Sequence, residues 1–247
     1  MGGRGASSST ARGGGGQQIS KMSHVSQIAD YMQKKYGVTV DKSLGALPIE
    51  SVREAVGGVE DVVRELPQVG PGMKIVYDAT MAKNTYATAR LSGVISVGGH
   101  YADIAGMEKS IQRDNSTHFH PKNGKARQTT SHEAGHIAEA AIIKKKYGDP
   151  FEPGIDNRTK AQRMGSFAAW NKSRESTRII KQAVSNLKKT PEGKGRLTSH
   201  FISDVSRYAT KNRSEALAEC VADYMANGSK AAPLSREVWG ILKSELG

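Results

Sequence analysis

Apolar residues recur along the chain with two different periods, and the change from one to the other organises it. Three- and four-residue spacing through Val25-Ser-Gln-Ile28-Ala-Asp-Tyr31-Met32 predicts an amphipathic helix. A second helix is opened by Pro48 and closed before Pro67, with Val52, Val56, Val59 and Val63 along one side and the Gly57-Gly58 pair weakening it. From Lys74 the texture changes to short β-like runs, 74–78, 85–89 and 93–97, separated by Gly and polar residues, which predicts a small sheet. A polar loop, 114–124, then leads into a helix over 127–146, stopped by Gly148 and Pro150. The remainder is helical in pattern around 161–171, 176–189, 198–209, 215–226 and 234–246, with breaks at Pro191-Glu-Gly193 and Asn227-Gly228. No internal repeat is visible.

These elements predict an α+β fold: an N-terminal helical extension over 21–70, then a domain over 71–247 with a small mixed sheet and further helices. Residues 1–20 are a Gly/Ser tract with Ile19 as the only large aliphatic side chain, too little to repay the entropy of ordering, so a disordered tail is expected. The tract lacks the apolar core of a secretory signal, and Ala6 stands where a myristoylation pattern wants Ser or Thr.

With 247 residues, 37% hydrophobic and 24% charged, the chain can bury a medium-sized core. No run approaches the length a spanning helix needs, and the most apolar helical stretch, 137–143, already contains Glu139, so no membrane partner is expected. The single Cys220 excludes an intramolecular disulfide and a cysteine-rich metal site; it reads as a small buried apolar residue.

The chemistry is concentrated in His132-Glu133-Ala-Gly-His136, an HExxH motif in the middle of a predicted helix. Histidines one turn apart project from the same face and can bring two imidazole nitrogens to one metal ion, while Glu133 is angled to take a proton from water. A catalytic zinc needs a third protein ligand. The metzincin continuation fails, because Glu139 and Ile142 occupy the places of its Gly and His. The other candidate is Ser214-Glu215-Ala-Leu-Ala-Glu219-Cys-Val-Ala-Asp223, a half-apolar helix whose carboxylates at four-residue spacing repel one another unless a cation lies opposite. Spacing leaves two arrangements open: Glu215 ligates and Glu219 orients a ligand histidine, or Glu219 ligates with Asp223 as its partner.

The segment Tyr208-Ala-Thr-Lys-Asn-Arg-Ser-Glu215-Ala-Leu-Ala-Glu219 resembles the third-ligand segment of the anthrax lethal factor family of zincin metallopeptidases. There a tyrosine precedes the ligand glutamate by seven positions and an E-x-x-A-E helix follows, a pattern that Tyr208, Glu215, Ala218 and Glu219 match. The resemblance implies a gluzincin-type, zincin-like domain holding one zinc ion through His132, His136 and Glu215, with Glu219 supporting a histidine. It also implies Glu133 as general base and Tyr208 as a hydroxyl aimed at the oxyanion. Peptide bonds are the implied substrate, bound extended along a sheet edge, for which 93–99 is the expected strand. The stretch Asn115-Ser-Thr-His118-Phe-His120-Pro121, running into Ser131-His132-Glu133, is also similar to phage- and prophage-encoded zincin domains, and the GGRG tract resembles that of phage head-associated proteins. That likeness implies a location in a bacterial host's cytoplasm or a virion.

His118 and His120 flank Phe119; in an extended segment both would face one way, and they are expected to shape the entrance of the site rather than to ligate. His24, His100 and His200 are isolated. Of the formal charge of +12, a net of +11 lies in 157–213, fourteen Lys/Arg against three acids, and this reads as a basic helical insertion between the two metal-binding segments. Within it Arg174, Arg178 and Lys181 fall at helical spacing, and Lys188-Lys189 adds to the same region. Such a stripe could meet a phosphate backbone or an acidic protein, or be an ordinary solvated surface. The rival to an active peptidase is accordingly a phage structural or accessory protein that keeps the zincin fold for contact with nucleic acid or virion proteins.

Overall fold

The runs after Lys74 and a two-residue strand ahead of them form one mixed sheet in the computed structural model, which describes residues 16–149 and 174–247. Its strands are β1 (Thr39–Val40), β2 (Lys74–Tyr77), β3 (Ala87–Arg90) and β4 (Val94–Val97), in the order β1-β2-β4-β3. β1, β2 and β4 run parallel, and β3 pairs antiparallel with β4 in the register Ala87 to Val97 and Arg90 to Val94. The connecting turn closes with the Gly93 N–H donating to the Arg90 carbonyl at 2.9 Å. Gly93 sits at φ +96°, a conformation that costs glycine nothing. The strand expected at a free edge, within 93–99, is therefore interior: β4 is bonded on both sides, and the edge beside the later helices is β3. The Tyr86 carbonyl accepts from the Gly98 N–H, so by alternation Thr88 and Arg90 also turn to β4, while the peptide groups of Ala87 and Ala89 point away from it, where no described strand pairs with them.

The helices are α1 (Gly16–Ile19), α2 (Val25–Tyr36), α3 (Ile49–Glu65), α4 (Ile104–Ser116), α5 (Ala126–Tyr147), α6 (Glu175–Leu187), α7 (Thr198–Ser203), α8 (Arg213–Asn227) and α9 (Pro233–Leu246). α3 buries Val52, Val56, Val59 and Val63 completely, each contributing roughly 2 kcal/mol. Its glycine pair does not break it, because that is where it meets α5. A Cβ on Gly58 would lie 2.0 Å from the Arg127 carbonyl oxygen and 2.3 Å from the Thr130 hydroxyl. The Ser131 hydroxyl instead donates to the bare Gly58 carbonyl at 3.0 Å. α5 is the central element, with α3, α8 and the sheet packed around it, and most of its residues between Thr130 and Ile143 are buried.

Several expectations change. Ile19 is fully buried in the core, so the tail expected over 1–20 does not extend that far; residues 1–15 lie outside those described. Residues 21–70 share the main core, since β1 joins the sheet and α3 lies on α5. The described part of the basic segment is likewise built in, with Ile179, Ile180 and Ala183 of α6 fully buried, while 157–173 and the helix expected over 161–171 lie outside the described residues. The helix expected over 198–209 is split after Ser203, because Val205 and Ser206 turn inward. α4 falls largely where no element was foreseen; its start is capped by Asp103, which accepts the Gly106 N–H at 3.0 Å. No helix among the described residues is long and apolar enough to cross a membrane.

Candidate metal centre

The geometry of the site begins with the glycine inside the HExxH motif. A Cβ on Gly135 would stand 2.9 Å from the Ala218 Cα and 3.2 Å from the Val221 Cβ, so α5 and α8 approach as closely as they do only because this position has no side chain. The crossing brings the first turn of α8 over the histidine face of α5. Asn212 caps α8 by accepting the Glu215 N–H at 2.9 Å, and Glu215 in that first turn is favourably placed against the helix dipole.

One oxygen of Glu215 faces both histidines, Oε2 lying 3.1 Å from His132 Nε2 and 3.4 Å from His136 Nε2. The ligand atoms of His132, His136 and Glu215 lie within 4.8 Å of one another, and this group could hold a metal ion. The opposite ring nitrogens are both engaged. His132 Nδ1 meets Glu219 Oε1 at 2.8 Å, and His136 Nδ1 meets the Ser214 hydroxyl at 3.1 Å. Ser214 in turn donates to Glu139 at 2.6 Å, and the other oxygen of Glu139 accepts the Ser176 N–H at 2.9 Å. With each Nδ1 facing an acceptor, both Nε2 atoms can offer a lone pair to a metal ion at the centre; without one, a protonated ring donates from Nε2 to Glu215 instead. Of the two arrangements left open by spacing, this is the one with Glu215 among the histidines. Asp223 does not join them; it accepts from the Asn227 amide at 2.7 Å and the Ala232 N–H at 2.8 Å.

The electrostatics fit a cation. Burial opposes charge on Glu215, yet hydrogen bonds from His132 and His136 hold its carboxyl well below the usual range. Glu219, also opposed by burial, is brought to about 2 by hydrogen bonds from His120 and His132. Burial would lower His132, but its bonds to Glu215 and Glu219 carry it well above an ordinary imidazole. Two carboxylates thus demand positive charge between them, which a proton on His132 or a metal ion supplies.

Glu133, 8% exposed, lines a cleft of about 490 Å³ together with His120, Tyr208 and residues 83–87 beside β3. Its carboxylate makes no hydrogen bond or ion pair with any described residue. Tyr208 reaches the site from a 3₁₀ turn, its hydroxyl 3.4 Å from Glu215 Oε1. Lys211 donates to the Tyr208 hydroxyl at 3.0 Å and to Glu215 at 3.3 Å, and both partners raise its pKa, Tyr208 the more.

His118 and His120 do not face the same way. His118 takes a left-handed backbone at φ +56° and places Nε2 3.1 Å from the Ser203 carbonyl, whereas His120 Nδ1 lies 3.2 Å from Glu219. Sequence reasoning missed the site contributions of Glu139, Lys211, Ser214 and Ser206, whose hydroxyl donates to Glu219 at 2.6 Å, and gave His120 no partner. Only Glu139, three residues after His136, and Lys211, three after Tyr208, stood at spacings that could have flagged them. In the basic segment, Arg178 bonds Glu175 at 2.7 Å and Glu245 at 2.7 and 2.8 Å, which removes the middle of the expected Arg174, Arg178, Lys181 stripe. Comparison with protein-family models finds no match, and no curated protein or solved structure is significantly similar to the chain.

Proposed function

We propose that the protein is a zinc-dependent peptidase of zincin type. The observation that carries this reading is the convergence of His132, His136 and Glu215 beside a Glu133 carboxylate that lines a cleft and is bonded to none of the described residues. Two imidazoles and one carboxylate make zinc the fitting ion. Bound there, zinc supplies Lewis acidity, polarising water and a peptide carbonyl. Glu133 then takes the proton of the attacking water and delivers it to the amine that departs as the C–N bond breaks. Tyr208 donates from its hydroxyl to the developing oxyanion, with Lys211 holding that hydroxyl in place. An extended peptide finds the outward peptide groups of Ala87 and Ala89 on β3, next to the cleft.

The test compares the zinc-loaded protein with zinc-loaded Glu133→Gln on a peptide pool made from a bacterial proteome, reading new termini by mass spectrometry. New termini made only by the unmodified protein are expected. Equal yields from both proteins, or none from either, would overturn the assignment.

A further inference from the structure

Glu219 does more than orient a metal-binding histidine. It is 1% exposed, and its carboxylate is shared by three groups: the Ser206 hydroxyl at 2.6 Å, His132 Nδ1 at 2.8 Å and His120 Nδ1 at 3.2 Å. The second belongs to the candidate metal group itself, and the first stands two residues before Tyr208 in the chain. The third comes from a loop that joins the site through long-range pairing, with the Arg207 N–H donating to the His118 carbonyl at 2.8 Å and the Tyr208 N–H to the Phe119 carbonyl at 3.0 Å. This pairing sets the His120 ring 5.3 Å from the Tyr208 ring, centroid to centroid.

His120 is thus fixed at one end and open at the other. Its Nδ1 faces a buried carboxylate, its Nε2 makes no hydrogen bond with a described residue, and the ring lines the same cleft as Glu133 and Tyr208. Its side chain is 28% exposed, so it is not simply core filling. It also lies outside the group whose ligand atoms converge. Its Nε2 is not among the buried polar atoms without a partner, so it is accessible from the cleft.

We propose that His120 is a substrate-contacting residue whose Nε2 hydrogen-bonds the main chain of the bound peptide beside Tyr208. The assignment rests on the peptidase reading above and extends it, since it names a recognition group on the wall of the cleft. One buried carboxylate, Glu219, then aligns a metal-binding imidazole and a substrate-binding imidazole together.

Two substitutions separate this role from a structural one. In His120→Asn the amide takes the place of Nδ1 and keeps the bond to Glu219, but the nitrogen in the cleft is gone. In His120→Gln the longer side chain puts an amide near the place of Nε2. All proteins are zinc-loaded and assayed on the proteome-derived peptide pool, with zinc affinity measured by chelator competition and thermal unfolding followed. Retention of uncleaved pool peptides by immobilised Glu133→Gln, with and without His120→Asn, reads binding apart from turnover. The expected result for His120→Asn is unchanged zinc affinity and unfolding temperature, a loss of about 10- to 100-fold in product formation, and weaker peptide retention. His120→Gln is expected to recover part of the activity. Cleavage by His120→Asn at the unmodified rate overturns the proposal, and so does a loss of zinc affinity that accounts for the loss of activity. Those outcomes leave the peptidase reading standing, whereas absence of cleavage by the unmodified protein removes both.

Discussion

Replacing Gly135 by alanine tests whether the approach of two helices sets the metal centre. The added methyl carbon would lie 2.9 Å from the Ala218 Cα and 3.2 to 3.3 Å from two carbons of Val221, against the 3.5–4.0 Å of an ordinary carbon contact. The nearest atom is backbone and cannot swing aside, so α5 and α8 must separate by about half an ångström or more. Alanine gains about 1 kcal/mol in helix propensity, while overpacking costs about 1–3 kcal/mol, so the net destabilisation is only about 0–2 kcal/mol. The effect expected on metal binding is larger. Glu215 stands one turn before Ala218 on α8, and His132 and His136 flank Gly135 on α5, so the displacement falls directly on the gap between ligands. Metal ligands tolerate errors of only about 0.2 Å, and a loss of zinc affinity of at least about tenfold is expected. Chelator competition reads the affinity and urea denaturation of the metal-free protein reads the stability. Gly240→Ala is the control: this glycine lies in α9 with nothing within 4 Å of a built Cβ, so alanine should stabilise by about 0.4–1 kcal/mol and leave zinc affinity unchanged. A folded Gly135→Ala protein that binds zinc as tightly as the original would refute the argument.

Further outcomes follow from the same contacts. Ser214→Ala or Glu139→Gln interrupts the chain behind His136 and should weaken zinc binding about 10- to 100-fold, read by chelator competition; unchanged affinity in both would show that His136 needs no support. Zinc at a hundredfold excess over its dissociation constant should stabilise the protein by about 2.7 kcal/mol, and Glu215→Ala should abolish that gain; an equal rise in unfolding temperature for both proteins would place the metal elsewhere. Glu219, held at about 2 against an ordinary 4.5, contributes stability that is present above pH 4.5 and is lost as the pH falls from there towards 2. By pH 3 about 2 kcal/mol of that contribution is gone, so between pH 4.5 and 3 the metal-free protein should weaken in urea by about that much more than Glu219→Gln, which keeps the acid limb of Glu215; matching acid limbs would contradict it. Tyr208→Phe should lower turnover of pool peptides about 100-fold with zinc affinity nearly unchanged, since the proposed mechanism puts its hydroxyl on the substrate; full activity would exclude it from the chemistry.

The helices and the short strands were largely legible in the sequence because their signal is local. Periodicity marked α2, α3, α5 and α8 to within a few residues, and the motif spacing put His132 and His136 on one face. α4 was hidden because Gly106 and a polar second half interrupt the spacing of Ile104, Met107 and Ile111, and β1 is too short to carry an alternating pattern. Gly57 and Gly58 read as weakness along the chain and became the place where α3 meets α5.

What lay beyond reach was everything that joins distant segments. Glu219 meets His120 and His132 across 99 and 87 positions, Ser214 meets Glu139 across 75, and the contact of His120 with Tyr208 depends on backbone pairing between two loops. Such contacts leave no periodic trace, because they depend on how helices cross and strands order and not on what stands nearby in the chain. The sequence by itself determined the candidate donor residues, two imidazoles one turn apart and a line of carboxylates. Only the tertiary structure decided which carboxylate faces the histidines, which one supports His132 from behind, and that among the described strands β3 rather than β4 is at the edge, since each follows from the close packing that Gly135 permits or from pairing partners far away in the chain.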